Sequence, residues 1–277
     1  MKLQINKYLL IAVLIFSISC TEKEDESFSF VQLCDTQLGF DSEGYENDVD
    51  KFKRAVAQIN ELNPDFVIVC GDLVNIPVDS TFSDFKKIAA GLKMPCYNAP
   101  GNHDVGNNPT DSTLTYYRKT IGKDYYEFHH KGYSFIVTNS QLWKGNSGNE
   151  SDRHDLWFKQ TLKNQSAKNY PVVVVGHYPL FSEKPEEEEG YFNFPSLKRQ
   201  ELLALFSRNN VVAYLSGHAH KLIINNYDNI QMVSGETLSR NFDNKPFGFR
   251  LWQVSPDTVM QNFVPLQTTL VHDGIIK

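Results

Sequence analysis

Five short clusters bring together side chains able to ligate metal ions: Asp35-Thr36-Gln37, Gly71-Asp72-Leu73-Val74-Asn75, Gly101-Asn102-His103-Asp104, Gly176-His177 and Gly217-His218-Ala219-His220. Carboxylates, carboxamides and imidazoles in this mixture suit a pair of hard-to-borderline cations. Such a pair holds a phosphate and a water at once and stabilises both the attacking and the departing oxygen of a displacement. Each cluster alone is a weak signal, and an isolated His177 reads first as a core histidine. As an ordered set, each placed where a strand is expected to end, the clusters are specific.

The elements that must position them follow from hydropathy. A β-rich run at 28–34 reads as a strand, as does 211–215, and the apolar runs at 66–70 and 171–175 have the continuous character of strands covered on both faces. A shorter strand is expected at 95–98. Helical spacing appears at 48–62, 82–92, 153–162 and 196–206. The first half therefore reads β-α-β-α-β, which calls for parallel strands joined by right-handed crossovers. In the second half, 125–128 and 133–138 read as a hairpin around Lys131-Gly132. Further strands are expected at 221–225, 230–235 and 249–254, with a last pairing at 258–265. Strands in two groups with helices between them imply two mixed sheets packed face to face, helices outside: an α/β fold. Binding residues of open α/β sheets lie beyond the carboxyl ends of the strands, where the five clusters fall.

The first residues read differently. Lys2 and Lys7 precede an apolar run over 8–19, too short for a membrane span of roughly 20 residues. It ends at Ser17-Ile18-Ser19-Cys20, which resembles a bacterial lipobox. Residues 1–19 are thus expected to be the signal peptide of a lipoprotein, Cys20 its lipidated anchor, and 20–27 a polar tether to a domain over 28–277. That places the protein on the bacterial cell envelope, with the membrane as a partner through the lipid. Formal charge is −6, and about −8 without Lys2 and Lys7, with no basic stripe, which argues against nucleic acid as a partner. Cys34, Cys70 and Cys96 lie in or beside apolar runs and read as buried small hydrophobes. Cys34 and Cys70 each precede a cluster, and a disulfide between them is an alternative.

At the five clusters the chain resembles the calcineurin-like metallophosphoesterases, whose blocks are Asp-x-His, Gly-Asp, Gly-Asn-His-Asp/Glu, a single His and Gly-His-x-His. Four match; Gln37 stands where the first block usually has histidine. Cys34 to Gly39, Gly101 to Thr110, Asn139-Ser140-Gln141 and the Tyr191-Phe192-Asn193 stretch are similar to a narrower set, the calcineurin-like phosphoesterase domain-containing protein 1 group, which also carries that glutamine. The resemblance implies a four-layer α/β/β/α sandwich and two divalent or trivalent metal ions. It implies Asp72 as the bridging ligand, Asp35, His220 and Gln37 at the first metal, and Asn102, His177 and His218 at the second. His103 would act as general acid, with Asp104 orienting its ring. Oxygen and imidazole donors in these proportions suit Mn, Fe or Zn better than Ca. A neutral glutamine binds metal more weakly than imidazole, so the first site should be the looser one.

Substrate-side expectations rest on position. Asn139 ends a strand, Asn75 adjoins a ligand loop, and Arg240 is the arginine near the late strands able to meet a phosphate. Acidic residues 186–189 read as a solvated loop, and Tyr191, Phe192 and Phe194 as a rim over the site or as core. The leading function is hydrolysis of a phosphomonoester, on a phosphoprotein or a small metabolite. A cyclic-nucleotide or other phosphodiesterase is the alternative within enzymes. A non-catalytic, metal-stabilised binding lipoprotein is the alternative of another class, disfavoured by the His103-Asp104 pair.

Overall fold

The computed structural model describes residues 27–256 and 258–268; the expected leader and Cys20 lie outside them. The chain runs β1 (Phe28–Leu33), α1 (Tyr45–Leu62), β2 (Phe66–Cys70), α2 (Asp79–Ala89), β3 (Cys96–Ala99), α3 (Asn102–Val105) and α4 (Asp111–Thr120). It continues β4 (Tyr126–His130), β5 (Tyr133–Val137), α5 (Gln141–Lys144), α6 (Asn149–Ala167), β6 (Val172–Val175), α7 (Ser196–Arg208) and β7 (Val211–Ser216). It closes with β8 (Ile223–Tyr227), β9 (Ile230–Ser234), β10 (Gly248–Ser255) and β11 (Thr258–Pro265).

The strands form two mixed sheets, in the orders β11-β10-β1-β2-β3 and β4-β5-β6-β7-β9-β8. Period-two alternation assigns the central strands' side chains to two cores. In β2, Phe66, Ile68 and Cys70 face the opposite sheet, whereas Val67 and Val69 face α1 and α2. In β6, Val173 and Val175 face inward, whereas Val172 and Val174 face α6 and α7. One core between the sheets and one under each helical layer make the α/β/β/α sandwich. Gln32 of β1 lies buried between the sheets and is satisfied there: its Nε2 donates to Ser216 and Val233 carbonyls at 3.0 Å, and Trp252 Nε1 donates to its Oε1 at 2.9 Å.

The expected hairpin forms, with Lys131 and Gly132 both at positive φ, as a tight two-residue turn requires. Besides the single-turn helices α3 and α5, which were not expected, two longer helices differ from expectation. α4 escaped notice because it buries only Leu114 and Tyr117; Thr110 caps it. α6 runs beyond 153–162 at both ends because several of its buried positions are polar, Glu150, His154 and Gln165 among them, and apolar periodicity does not register them. Cys34 and Cys70 are free thiols buried between the sheets, and no disulfide joins them.

Candidate metal centre

Each cluster begins where a parallel strand stops. Asp35 and Gln37 follow β1, Asp72 follows β2, and Asn102 opens α3 after β3. His177 follows β6, and His218 and His220 follow β7. The chain turns sharply at these points: Asp35, Gln37, Asp72, His218 and His220 all have positive φ, between 31° and 66°. Non-glycine residues rarely adopt this conformation, and it tends to persist at functional sites where the surroundings over-determine it. Neighbouring glycines allow the loops to meet. A Cβ on Gly101 would fall 2.0 Å from Asp72 Oδ1, and one on Gly217 would fall 2.6 Å from Asp35 Oδ2.

Two overlapping sets of donors result. The ligand atoms of Asp72, His177 and His218 lie within 4.8 Å of one another, as do those of Asp35, Asp72 and His220. Asp72 belongs to both. His177 Nε2 is 3.2 Å from Asp72 Oδ2, 3.0 Å from Asn102 Oδ1 and 3.2 Å from His218 Nδ1. His220 Nε2 is 3.6 Å from Asp35 Oδ1. All these residues are buried.

The three imidazoles share one arrangement. His177 Nδ1 faces the Cys70 carbonyl at 2.8 Å, His218 Nε2 the Tyr191 carbonyl at 3.2 Å, and His220 Nδ1 the Arg240 carbonyl. A carbonyl only accepts, so each outward nitrogen carries the hydrogen and the inward one is left for a ligand role. That is the outer-shell pattern of metal-bound histidines. Gln37 supplies a second test. It is fully buried, and neither its Oε1 nor its Nε2 has a hydrogen-bond partner. An unsatisfied buried amide costs about 1–3 kcal/mol, which a cation on Oε1 would offset. The residues present fit two metal ions.

The electrostatics point the same way. Burial raises Asp35, against the pull of His220 and His177. In Asp72 the same burial is outweighed by His177, His103 and His218, and the carboxyl titrates below its usual range. Burial disfavours a charged His177, but Asp72 and Asp35 overcome it and raise the ring to about 9. Burial and the His177 charge hold His218 well below its ordinary value. The carboxylates thus demand positive charge, which a proton on His177 supplies and a bound cation would displace.

Other expected site residues fall elsewhere. Asp104 does not orient the His103 ring: its carboxylate accepts the main-chain N–H groups of Gly101 at 2.7 Å, Leu73 at 3.0 Å and Val74 at 3.3 Å. It ties two ligand loops together. The ring is held instead by Asn75, whose main-chain carbonyl is 3.0 Å from His103 Nδ1, while the Asn75 side chain donates to Gly39. Asn139 is fully buried and does not brace Asn102. Its Nδ2 donates to Asp124 Oδ2 at 3.0 Å, so its donor serves the Arg118–Asp124–Glu150 charge network. Arg240 reaches the centre through its carbonyl; its exposed side chain lines a neighbouring cleft of about 580 Å³ with Lys51 and Arg54.

In the acidic loop, Glu187 is not free in solvent but accepts from Ser182, Glu183 and Asn193. Lys144 donates to the carbonyls of Gly190 and Asn193, which pins the segment bearing Tyr191. Tyr191 and Phe192 are exposed beside His218, whereas Phe194 is core. The sequence reading missed the carbonyls of Cys70, Tyr191 and Arg240, because main-chain acceptors leave no mark in side-chain types. It also missed Phe40 and Phe242, whose rings pack on His220.

The family model described as calcineurin-like phosphoesterase matches residues 28–222. Serine/threonine-protein phosphatase CPPED1 of Danio rerio is 32% identical over 272 residues, spanning 88% of this chain and 87% of its own. The Homo sapiens protein of the same name is 29% identical, with the same shares covered. Among solved structures, a dimetal phosphatase from Danio rerio superposes with a TM-score of 0.67 at 12% identity, covering 87% of this chain and 96% of that one. The last is a likeness of fold.

Proposed function

Because the chain belongs to the calcineurin-like phosphoesterase family and is a phosphoesterase hydrolase, we propose that it is a two-metal phosphatase acting on phosphomonoesters. The observation that carries this reading is the shared position of Asp72, whose carboxylate belongs to both donor sets. Asp35, Gln37 and His220 complete one site with it; Asn102, His177 and His218 complete the other. Mn, Fe or Zn fits the donor chemistry. Cations held there would supply Lewis acidity toward the phosphate and would acidify an attacking water.

The protein's own part is positioning and proton transfer. The main-chain N–H of His103 donates to Asp72 Oδ1 at 2.8 Å, which fixes the residue beside the bridging carboxylate. With Nδ1–H engaged by Asn75, Nε2 is the nitrogen that exchanges a proton, and we assign it to protonate the departing oxygen. Asp104 holds the Gly71 and Gly101 loops in register, so it supports the site by position and not by proton transfer. The relatives named serine/threonine-protein phosphatases support a phosphoprotein substrate. Small phosphorylated metabolites stand equally. The sequence over 1–20 supports a lipid anchor at Cys20 on the cell envelope, which labelled-palmitate incorporation lost in Cys20→Ser would test.

The test of function is hydrolysis of p-nitrophenyl phosphate and of its bis ester with Mn²⁺ added. The monoester should be cleaved. Cleavage of the bis ester alone would make the protein a diesterase, and cleavage of neither by protein carrying both metals would make it a binding module.

A further inference from the structure

The metal centre is bordered by an unbroken chain of aromatic contacts that the mechanism does not use. Phe40 lies 5.8 Å from the His103 ring and 5.2 Å from His220. Phe242 stacks on His220 at 4.8 Å with 20° between planes, and meets Phe40 at 6.4 Å. Phe192 meets Phe242 at 6.5 Å and His218 at 5.4 Å. Tyr191 closes the arc against Phe192 at 5.1 Å and His218 at 4.9 Å. These rings come from three separate loops, yet they form a single arc from the expected proton donor to the second metal site.

Their exposure is the second observation. Tyr191 is 56% exposed, Phe192 40% and Phe242 48%. Large rings left in water cost free energy, and an apolar patch contiguous with a reaction centre marks a ligand surface. Support for the histidines does not require this area. The imidazoles are already oriented by carbonyls of Cys70, Tyr191 and Arg240. Electrostatics narrow the occupant. Glu188 and Glu189 are exposed on the same loop as Tyr191, which disfavours a second phosphate on the substrate.

Resting on the phosphatase reading, we propose that this arc is a specificity surface that receives a planar ring carried by the leaving group of a phosphomonoester. Tyr191, Phe192 and Phe242 are its positioning residues. A ring there gains offset or edge-to-face contact with exposed aromatic faces. An aliphatic leaving group gains only part of that area.

Binding decides the matter without turnover. The metal-loaded protein is titrated calorimetrically with methylphosphonate, phenylphosphonate and 2-phenylethylphosphonate. The ring-bearing ligands should bind about tenfold more tightly than methylphosphonate. That preference should shrink about fivefold in Phe242→Ala or Phe192→Ala, and less in Phe242→Leu, which keeps apolar area without the planar face. Preference for phenylphosphonate would place the ring close against the phosphorus, nearest to the reach of an aryl phosphate. Preference for the phenylethyl compound would place it at a spacer's length, as in a nucleotide. Equal binding of all three, or parallel loss of all three in the variants, overturns the proposal, the latter by reducing the rings to braces for His218 and His220. Phenyl phosphate hydrolysis is scored separately: ring-selective binding without hydrolysis would overturn the phosphatase reading and leave the surface standing.

Discussion

The Nδ1 of His103 and the main-chain carbonyl of Asn75 lie 3.0 Å apart. The carbonyl can only accept, so this contact sets the tautomer and leaves Nε2 to exchange protons. A side chain is not needed at position 75 for the purpose. His103→Ala should keep both metals and lose about 10²-fold or more in kcat, the usual scale for a lost general acid. Metal analysis alongside kinetics checks it. Loss of metal would make His103 a ligand. Asn75→Ala, which retains the carbonyl, should cost far less activity than His103→Ala.

Gln37 presents an unpartnered amide inside the site. Gln37→His should raise occupancy of the Asp35–His220 site at limiting Mn²⁺, measured by metal content after gel filtration. Unchanged occupancy would count against Gln37 as a ligand.

Gly101 gives a steric prediction. Gly101→Ala would force a Cβ against Asp72 Oδ1 and its main-chain nitrogen, at 2.0 and 2.1 Å. Main chain cannot yield as a flexible side-chain end does, so the Asp72 carboxylate must shift. We expect loss of both metals and of activity, with a far-ultraviolet circular dichroism spectrum close to that of the parent. Retained metals would show that the loop has slack.

His154 predicts pH dependence of stability away from the metals. Burial lowers its pKa to about 3, and its Nε2 accepts the Asn139 N–H at 3.2 Å. Between that value and about 6.5, the unfolded chain binds more protons than the folded one, so stability rises with pH. The contribution is fully present above about 6.5 and is lost as pH falls toward 3. Unfolding free energy should therefore fall further between pH 7 and 4.5 in the parent than in His154→Gln, by roughly 2–3 kcal/mol. Parallel curves would contradict it.

The central strands and the donor groups gathered at strand ends were legible because both write themselves into side-chain type: apolar runs for doubly covered strands, and His, Asp and Asn beyond them. What carries no such mark was not. Asp104 next to His103 in sequence suggested a catalytic pair, but the short helix α3 turns its carboxylate toward the amides of Gly101 and Leu73. Asn139 ends a strand as expected, yet its amide is taken by Asp124, itself bound by Arg118, a partnership between distant elements that local spacing does not encode. Phe40 and Phe242 are ordinary loop phenylalanines until folding sets them against His220.

Metal stoichiometry in ligand variants tests the two-metal claim most directly. Equilibrium dialysis against Mn²⁺ should give two ions per chain for the parent, one for His220→Ala, one for His177→Ala, and none held tightly by Asp72→Ala, because Asp72 alone belongs to both donor sets. A single ion in the parent, or one tightly held ion surviving in Asp72→Ala, would contradict the account.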